Sequence, residues 1–191
     1  APKRKLYLNE RIAKGDKKTP SSILLDAGTT KDGTTEIMGL FDGEKVFDYP
    51  KPVKLIKRLI QYGAPNGGLV LDFFSGSATT AHAVMEYNAE NTDVWNYIMV
   101  QLPENLETSL QNASNDSKKV LQNAISFCNY YNKPHRLTEI AKERIRRAGE
   151  KIKGESPLTT QDLDTGFRVL KLDDTNMEPV YYSAQEYSQD M

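Results

Sequence analysis

The sequence predicts an α/β protein built on a parallel sheet, and three observations carry that expectation. Residues 69–74 form a short, continuous apolar run that ends in the small-residue turn Ser75-Gly76-Ser77. A second run, residues 97–102, follows one helix length later and is stopped by Pro103. Two stretches of helical periodicity, 116–131 and 136–153, then lead to a third strand-like run, 166–172. Short continuous apolar runs suit strands buried on both faces, and alternation of strands with helices is the pattern of a parallel sheet.

Taken in order, positions 1–30 are basic and then Ser/Thr-rich. Between positions 1 and 18 seven basic residues face two acidic ones, and a short strand over 5–8 is expected. A short helix is expected over 35–41 and a strand over 45–49. Pro50-Lys51-Pro52 opens a helix whose apolar face is Val53, Leu55, Ile56, Leu59 and Ile60, because Pro suits the first helical turn; Gly63 ends it. The helix-prone stretch after the turn runs through Thr79, Thr80, Ala81, Ala83, Val84 and Met85. In the helix over 136–153, Leu137, Ile140, Ala141, Ile145, Ala148 and Ile152 share the buried face. The face with Arg144, Arg146 and Arg147 is expected to be solvated and paired at i to i+4. The Tyr-rich tail, with Tyr181, Tyr182 and Tyr187, is expected to lack structure.

Composition narrows the function. The 191 residues include 25 basic and 26 acidic side chains, one cysteine and two histidines. That excludes a disulfide framework and argues against a zinc site; Cys128 is expected to be a small buried apolar residue, and His82 a packing or surface histidine. No apolar run approaches the ~20 residues of a membrane span, and no signal peptide is visible, so no membrane partner and a cytoplasmic location are expected. The chain starts at Ala1 in a charged segment, which reads as a piece of a longer protein.

Ligands of open α/β sheets bind beyond the carboxyl ends of the strands, so the candidate site is the turn from Asp72 to Thr80. A nucleoside-triphosphate loop needs Gly-x-x-x-x-Gly-Lys-Ser/Thr, and a dinucleotide fingerprint needs three glycines; this turn has no such lysine and only Gly76. S-adenosylmethionine carries no phosphate but offers an ammonium, a carboxylate, a ribose and an adenine. Asp72 suits the ammonium, backbone donors at Ser75 to Ser77 suit the carboxylate or the ribose, and Gln101 or Glu104 suits the ribose hydroxyls. The residues alone leave a second reading open, in which Asp72 only organises the turn.

Asp72-Phe73-Phe74-Ser75-Gly76-Ser77-Ala78-Thr79-Thr80-Ala81-His82 resembles motif I of amino-methyltransferases of the permuted β group, close to Asp-x-Phe-x-Gly-Ser-Gly-Thr-Thr. Ala78 stands in place of the last glycine, a departure shared with type III modification subunits. Phe47-Asp48-Tyr49-Pro50-Lys51-Pro52 resembles motif X, which precedes motif I in this group. Ile98-Met99-Val100-Gln101-Leu102-Pro103-Glu104 resembles the second-strand motif. Glu143-Arg144-Ile145-Arg146-Arg147-Ala148-Gly149 and Gly166-Phe167-Arg168-Val169-Leu170-Lys171-Leu172 also resemble segments of type III modification subunits. The resemblance runs from about 20 to 178.

That resemblance implies a partial, Rossmann-like methyltransferase sheet, the C-terminal half of a permuted domain, and transfer of a methyl group from S-adenosylmethionine to the N6 amine of adenine in double-stranded DNA. It implies a modification-subunit homodimer and a restriction subunit as partners. It assigns Asp72, Phe74, Ser75, Gly76, Ser77 and Thr80 to the methionine and ribose, Lys51 and Pro52 to the methionine end, Gln101 or Glu104 to the ribose, and Phe73 or Phe74 to the neighbourhood of the reacting centre. It divides the chain into the basic end of a target-recognition region (1–30), a cofactor-binding part (31–178) and a tail (179–191). The family's catalytic motif, Asp/Asn/Ser-Pro-Pro-aromatic, holds the flipped base. None of the nine prolines is followed by another, so no catalytic residue is assigned in this chain, and inactivity on its own is expected, with an open apolar sheet edge. Two other functions fit the same turn: a methyltransferase acting on RNA or a small molecule, and a non-catalytic interaction module of a restriction complex. Motif X ahead of motif I favours the DNA enzyme over the first of these.

Overall fold

A computed structural model describes residues 23–63, 67–92, 94–155, 157–158 and 160–173. The expected strand over 5–8, the basic run and the Tyr-rich tail lie outside these residues. The elements are α1 (Thr30–Leu40), α2 (Val53–Gly63), β1 (Gly68–Asp72), α3 (Thr79–Glu90), β2 (Trp95–Met99), α4 (Leu106–Gln111), α5 (Asn115–Tyr130) and α6 (Leu137–Glu155). The class is α/β. β1 and β2 pair in parallel, in register from Gly68 opposite Trp95 to Asp72 opposite Met99.

Local chemistry explains the element ends. α1 starts earlier than its apolar periodicity suggests because Thr29 and Asp32 form a capping box: the Asp32 N–H donates to Thr29 Oγ1 at 3.3 Å, and the Thr29 N–H donates to Asp32 Oδ2 at 2.6 Å. Asn105 caps α4 through the Glu107 and Thr108 N–H groups. At six residues α4 is too short to show a period, which is why the sequence reading passed over it. Asn88 near the end of α3 accepts from the Trp95 N–H and donates to the Trp95 carbonyl, both at 2.9 Å. That pair places the start of β2 against the end of the helix that leads into it.

α3 is the central element: every residue from Thr79 to Met85, and Tyr87, is buried, and the polar positions Glu86, Asn88 and Glu90 gather at its far end. Ala78, Ala81 and Met85 face one core shared with α1, α5 and α6, where Ile37, Ala124, Cys128, Ile140, Ile145 and Ala148 meet. Ala83, Val84 and Tyr87 face a second core, formed with Val53, Ile60 and Trp95. The sheet packs one face, through Val70, Tyr97 and Trp95, on that second core.

Two expected strands are not there. Residues 45–49 form a bent segment, held where Asn123 Nδ2 donates to the Lys45 carbonyl and where Lys45 pairs with Asp48 at 2.6 Å. Tyr49 turns through a left-handed φ of 51°, outside the extended region of a regular strand. Residues 166–172 carry no ladder either. Leu163 and Phe167 still pack on the core, but beyond them Leu170 and Leu172 stand in solvent. A strand is defined by what it pairs with, and among the described residues neither segment has a ladder partner.

The other face of the sheet is bare. Leu69, Leu71 and Phe73 on the β1 side and Ile98, Val100 and Leu102 on the β2 side are exposed, Leu71 at 48 %. Parallel sheets are normally covered on both faces, and a contiguous apolar patch marks an association surface. Light scattering on the isolated chain is therefore expected to show mass rising with concentration, and a double change of Leu71 and Ile98 to Lys is expected to suppress it. A monomer at every concentration up to about 10 mg/ml would contradict an unprotected face.

Candidate active site

The turn after β1 is held by bonds among its own residues. Asp72, at the last position of β1, accepts from the Phe74 N–H at 3.0 Å through Oδ1 and from Thr80 Oγ1 at 2.6 Å through Oδ2. The Val100 N–H donates to the Asp72 carbonyl at 2.8 Å, and the Ser75 N–H to the Val100 carbonyl at 3.1 Å, extending the ladder past both strand ends. Gln101 Oε1 accepts from the Gly76 N–H at 2.7 Å. Gly76 has φ 50°, and a Cβ there would lie 3.1 Å from the Phe47 ring; a glycine meets both demands at once. Ala78 then takes φ 60° as the N-cap of α3, with no side-chain cap.

The structure thus brings Asp72, Phe74, Ser75, Gly76, Thr80 and Gln101 into one bonded unit. Phe47, which carries no site role in the sequence reading, sits over Gly76 and joins the motif X segment to the turn; an aromatic ahead of Pro50-Lys51-Pro52 was the only signal for it. Lys51 is exposed and Pro52 is buried beside Gly28; neither has a described contact with the turn. Phe73 and Phe74 point outward, Phe74 92 % exposed. Glu104 is exposed, and its carbonyl accepts from the Leu137 N–H at 3.0 Å. The Ser75 and Gly76 N–H groups, expected as ligand donors, are already used inside the turn. The Ser77 N–H has no acceptor among the described residues.

Beneath the turn lies a polar layer that the sequence does not announce. The face of α6 expected to be solvated is so in part: Arg146 is exposed and Arg147 pairs with Glu143 at i to i+4, as expected, but Arg144 is wholly buried. Its Nη1 donates to Ser77 Oγ at 2.8 Å and to Thr79 Oγ1 at 2.7 Å. Desolvation pulls its pKa down to about 10 against the charges of Glu36 and Glu86, so it stays charged at neutral pH. Glu36 on α1 accepts from the Val53 N–H at 2.9 Å, fixing the start of α2, and burial raises its carboxyl. Lys57 pairs with Glu86 at 3.2 Å and Glu90 at 2.6 Å, tying α2 to α3. Burial lowers the His82 pKa below its ordinary value. Its Nε2 lies 3.1 Å from Glu86 Oε1 without hydrogen-bond alignment, and the ring is buried, as a packing residue. Burial works to raise Glu86, yet His82 and Lys57 beside it hold it down to about 2.

Two hollows of the surface lie elsewhere. One of about 340 Å³ is lined by Asn105, Glu107, Lys133, Pro134, His135 and Arg136. Another, of about 490 Å³, lies beside Asp42, Tyr131, Glu143 and Arg147. Neither touches the turn, whose candidacy rests on its place at the carboxyl ends of the strands and on its bonding. No helix of the described residues is long and apolar enough to cross a membrane.

Comparison with known proteins finds a family model described as DNA methylase that matches residues 4–112. The StyLTI Mod subunit of a type III restriction-modification enzyme from Salmonella typhimurium is 37% identical over 143 residues, 75% of this chain and 19% of that protein. The EcoP15I Mod subunit from Escherichia coli is 31% identical over 161 residues, 84% of this chain and 20% of that protein. The EcoPI Mod subunit from Escherichia phage P1 is 41% identical over 102 residues, 52% of this chain and 16% of that protein. The chain therefore spans no more than a fifth of the length of these relatives.

Proposed function

The chain belongs to the DNA methylase family, and on that premise we propose that it is the S-adenosylmethionine-binding portion of a type III modification subunit, an enzyme that methylates the N6 amine of adenine in duplex DNA. The observation that carries this reading is the bonded Asp72–Thr80 turn at the carboxyl end of β1. The donor set fits the cofactor. Asp72 presents a carboxylate held in place by Phe74 and Thr80, and each of its oxygens keeps a lone pair for an ammonium. Gly76 lets a ligand approach the backbone closely. Ser77 contributes an N–H that no described residue accepts, and the family resemblance assigns Lys51, Pro52, Phe73, Phe74 and Glu104 to the same site.

When bound, S-adenosylmethionine supplies an activated methyl group on its sulfonium. This chain's residues bind and orient: Asp72 takes the ammonium, Gln101 keeps the turn closed through Gly76, and Glu104 reaches the ribose hydroxyls. Phe73 and Phe74 border the place where the target base arrives. With no Pro-Pro pair, the chain lacks the group that holds a flipped adenine, and methyl transfer belongs to the longer protein. Its partners there are DNA, a second modification subunit and a restriction subunit.

Calorimetric titration with S-adenosylmethionine tests this. Saturable binding is expected, weakened on the order of tenfold in Asp72→Asn, whose Oδ1 still accepts from the Phe74 N–H and whose NH2 donates to the Thr80 hydroxyl in reverse, but which lacks the charge that pairs with the ammonium. The same preparation is expected to transfer no methyl group to DNA. A folded chain that gives no heat, or an Asp72→Asn variant that binds as tightly as the parent, would reject the cofactor assignment; turnover by the chain alone would reject the division of labour.

A further inference from the structure

We infer that Arg144 is a positioning residue that fixes the Asp72–Thr80 turn from below, so that α6, far along the chain, sets the shape of the proposed cofactor site. The inference rests on that reading of the site for its ligand, and on the geometry alone for its effect on the turn.

A wholly buried guanidinium is an expensive way to fill space, because an apolar side chain of similar volume avoids the desolvation. Here it forms no close ion pair among the described residues: Glu36 and Glu86 act on it only at a distance. Its Nε and Nη2 have no partner among the described residues. What it does make are two hydrogen bonds from a single nitrogen, to the hydroxyls of Ser77 and Thr79. Those two residues flank Ala78, which takes a left-handed φ of 60° and leaves α3 without a side-chain cap. Left-handed backbone disfavours any residue with a Cβ. Arg144 bridges that kink from both sides. The bridge holds the point where the chain turns from Gly76 into α3, which in turn aims Thr80 at Asp72. Ser77 is thus committed through its hydroxyl, which faces inward to Arg144, while its N–H has no acceptor among the described residues.

Two variants test this, Arg144→Lys and the double change Ser77→Ala with Thr79→Val; the second keeps the arginine and removes only the bridge. Backbone hydrogen exchange at residues 75–80, taken relative to residues 120–128 of α5, reports the turn without any ligand. Exchange in the turn is expected to rise on the order of tenfold in either variant while α5 is unchanged, the effect of losing about 1.4 kcal/mol of local hydrogen bonding. S-adenosylmethionine affinity is expected to fall by a similar factor, more than a merely global loss of stability produces in a chain that stays folded. Unchanged relative exchange in the double variant overturns the inference, since the turn then holds itself. A faster-exchanging turn with undiminished affinity also overturns it, because the turn's shape would not matter to the site. If the parent shows no binding while turn exchange responds as expected, the cofactor reading fails and Arg144 still stands as the residue that positions the turn.

Discussion

Replacing Gly33 with alanine is expected to lower the unfolding free energy by about 3 kcal/mol, although alanine is the better helix former by about 1 kcal/mol. Gly33 lies inside α1, where the segment 50–52 crosses the helix at contact distance. A Cβ there would meet the Pro50 carbonyl oxygen at 2.2 Å, the Lys51 carbonyl carbon at 2.9 Å and its oxygen at 3.0 Å. All three are backbone atoms, so no side chain can swing aside. Pro50 is itself fully buried, and the chain just beyond is pinned where the Val53 N–H meets Glu36. α1 and the 50–52 segment must therefore separate, carrying Phe47 away from Gly76. The control lies on the same helix: nothing comes within 4 Å of a Cβ on Gly39, so Gly39→Ala should be neutral or stabilise by up to about 1 kcal/mol. Urea unfolding of the two variants side by side decides the matter, and equal midpoints would mean that no close approach exists at Gly33.

Arg147→Ala is expected to lose about 2–3 kcal/mol, and Arg147→Lys to recover less than half of it. The guanidinium of Arg147 donates through Nε to Glu143 at 2.9 Å, through Nη1 to the Leu40 carbonyl and to Asp42, and through Nη2 to the Tyr131 hydroxyl, each of these at 2.8 Å. It also lies 5.2 Å from the Phe41 ring centroid, 5.5 Å from that of Phe127 and 5.7 Å from that of Tyr131. One planar fork thereby ties the end of α1, the end of α5 and the middle of α6. A lysine offers one point charge and cannot reach these directions together. Exposed i to i+4 pairs contribute only about 0.3–0.5 kcal/mol, so the ion pair with Glu143 alone predicts a much smaller loss. Thermal unfolding of both variants distinguishes the two: a loss under about 0.5 kcal/mol for the alanine, or full rescue by lysine, would reduce Arg147 to an ordinary surface cation.

The two arginines show where local reading stops. Helical period places Arg144 inside the apolar stripe of α6, four residues from both Ile140 and Ala148, and Arg147 at its edge, seven residues from Ile140; what that period does not contain is the element that covers each of them. The α1–α5 junction covers Arg147, and the first turn of α3 covers Arg144, 65 and 67 positions away from the Thr79 and Ser77 hydroxyls it reaches. Charge burial is decided by what lies opposite, which no window of sequence contains.

The same division runs through the fold. Every helix beyond two turns was legible in the sequence, because a helix closes its hydrogen bonds within its own segment and its caps are local chemistry; even the early start of α1 was written in Thr29 and Asp32. β1, the turn and α3 were legible together, since a short apolar run, small turn residues and a helix-prone stretch are contiguous. The strands expected at 45–49 and 166–172 failed because a strand's hydrogen bonds close on a partner elsewhere in the chain, and β propensity without that partner leaves an extended or bent segment. The types of residue at the candidate site were likewise settled by the sequence: a carboxylate at a strand end, a glycine in the turn, an amide after the second strand. Which donors remain for a ligand was decided only by tertiary structure, through the ladder extension at Ser75, the Gln101 side chain on Gly76 and the buried bridge from Arg144, each of which joins atoms that only the folded chain brings within reach of one another.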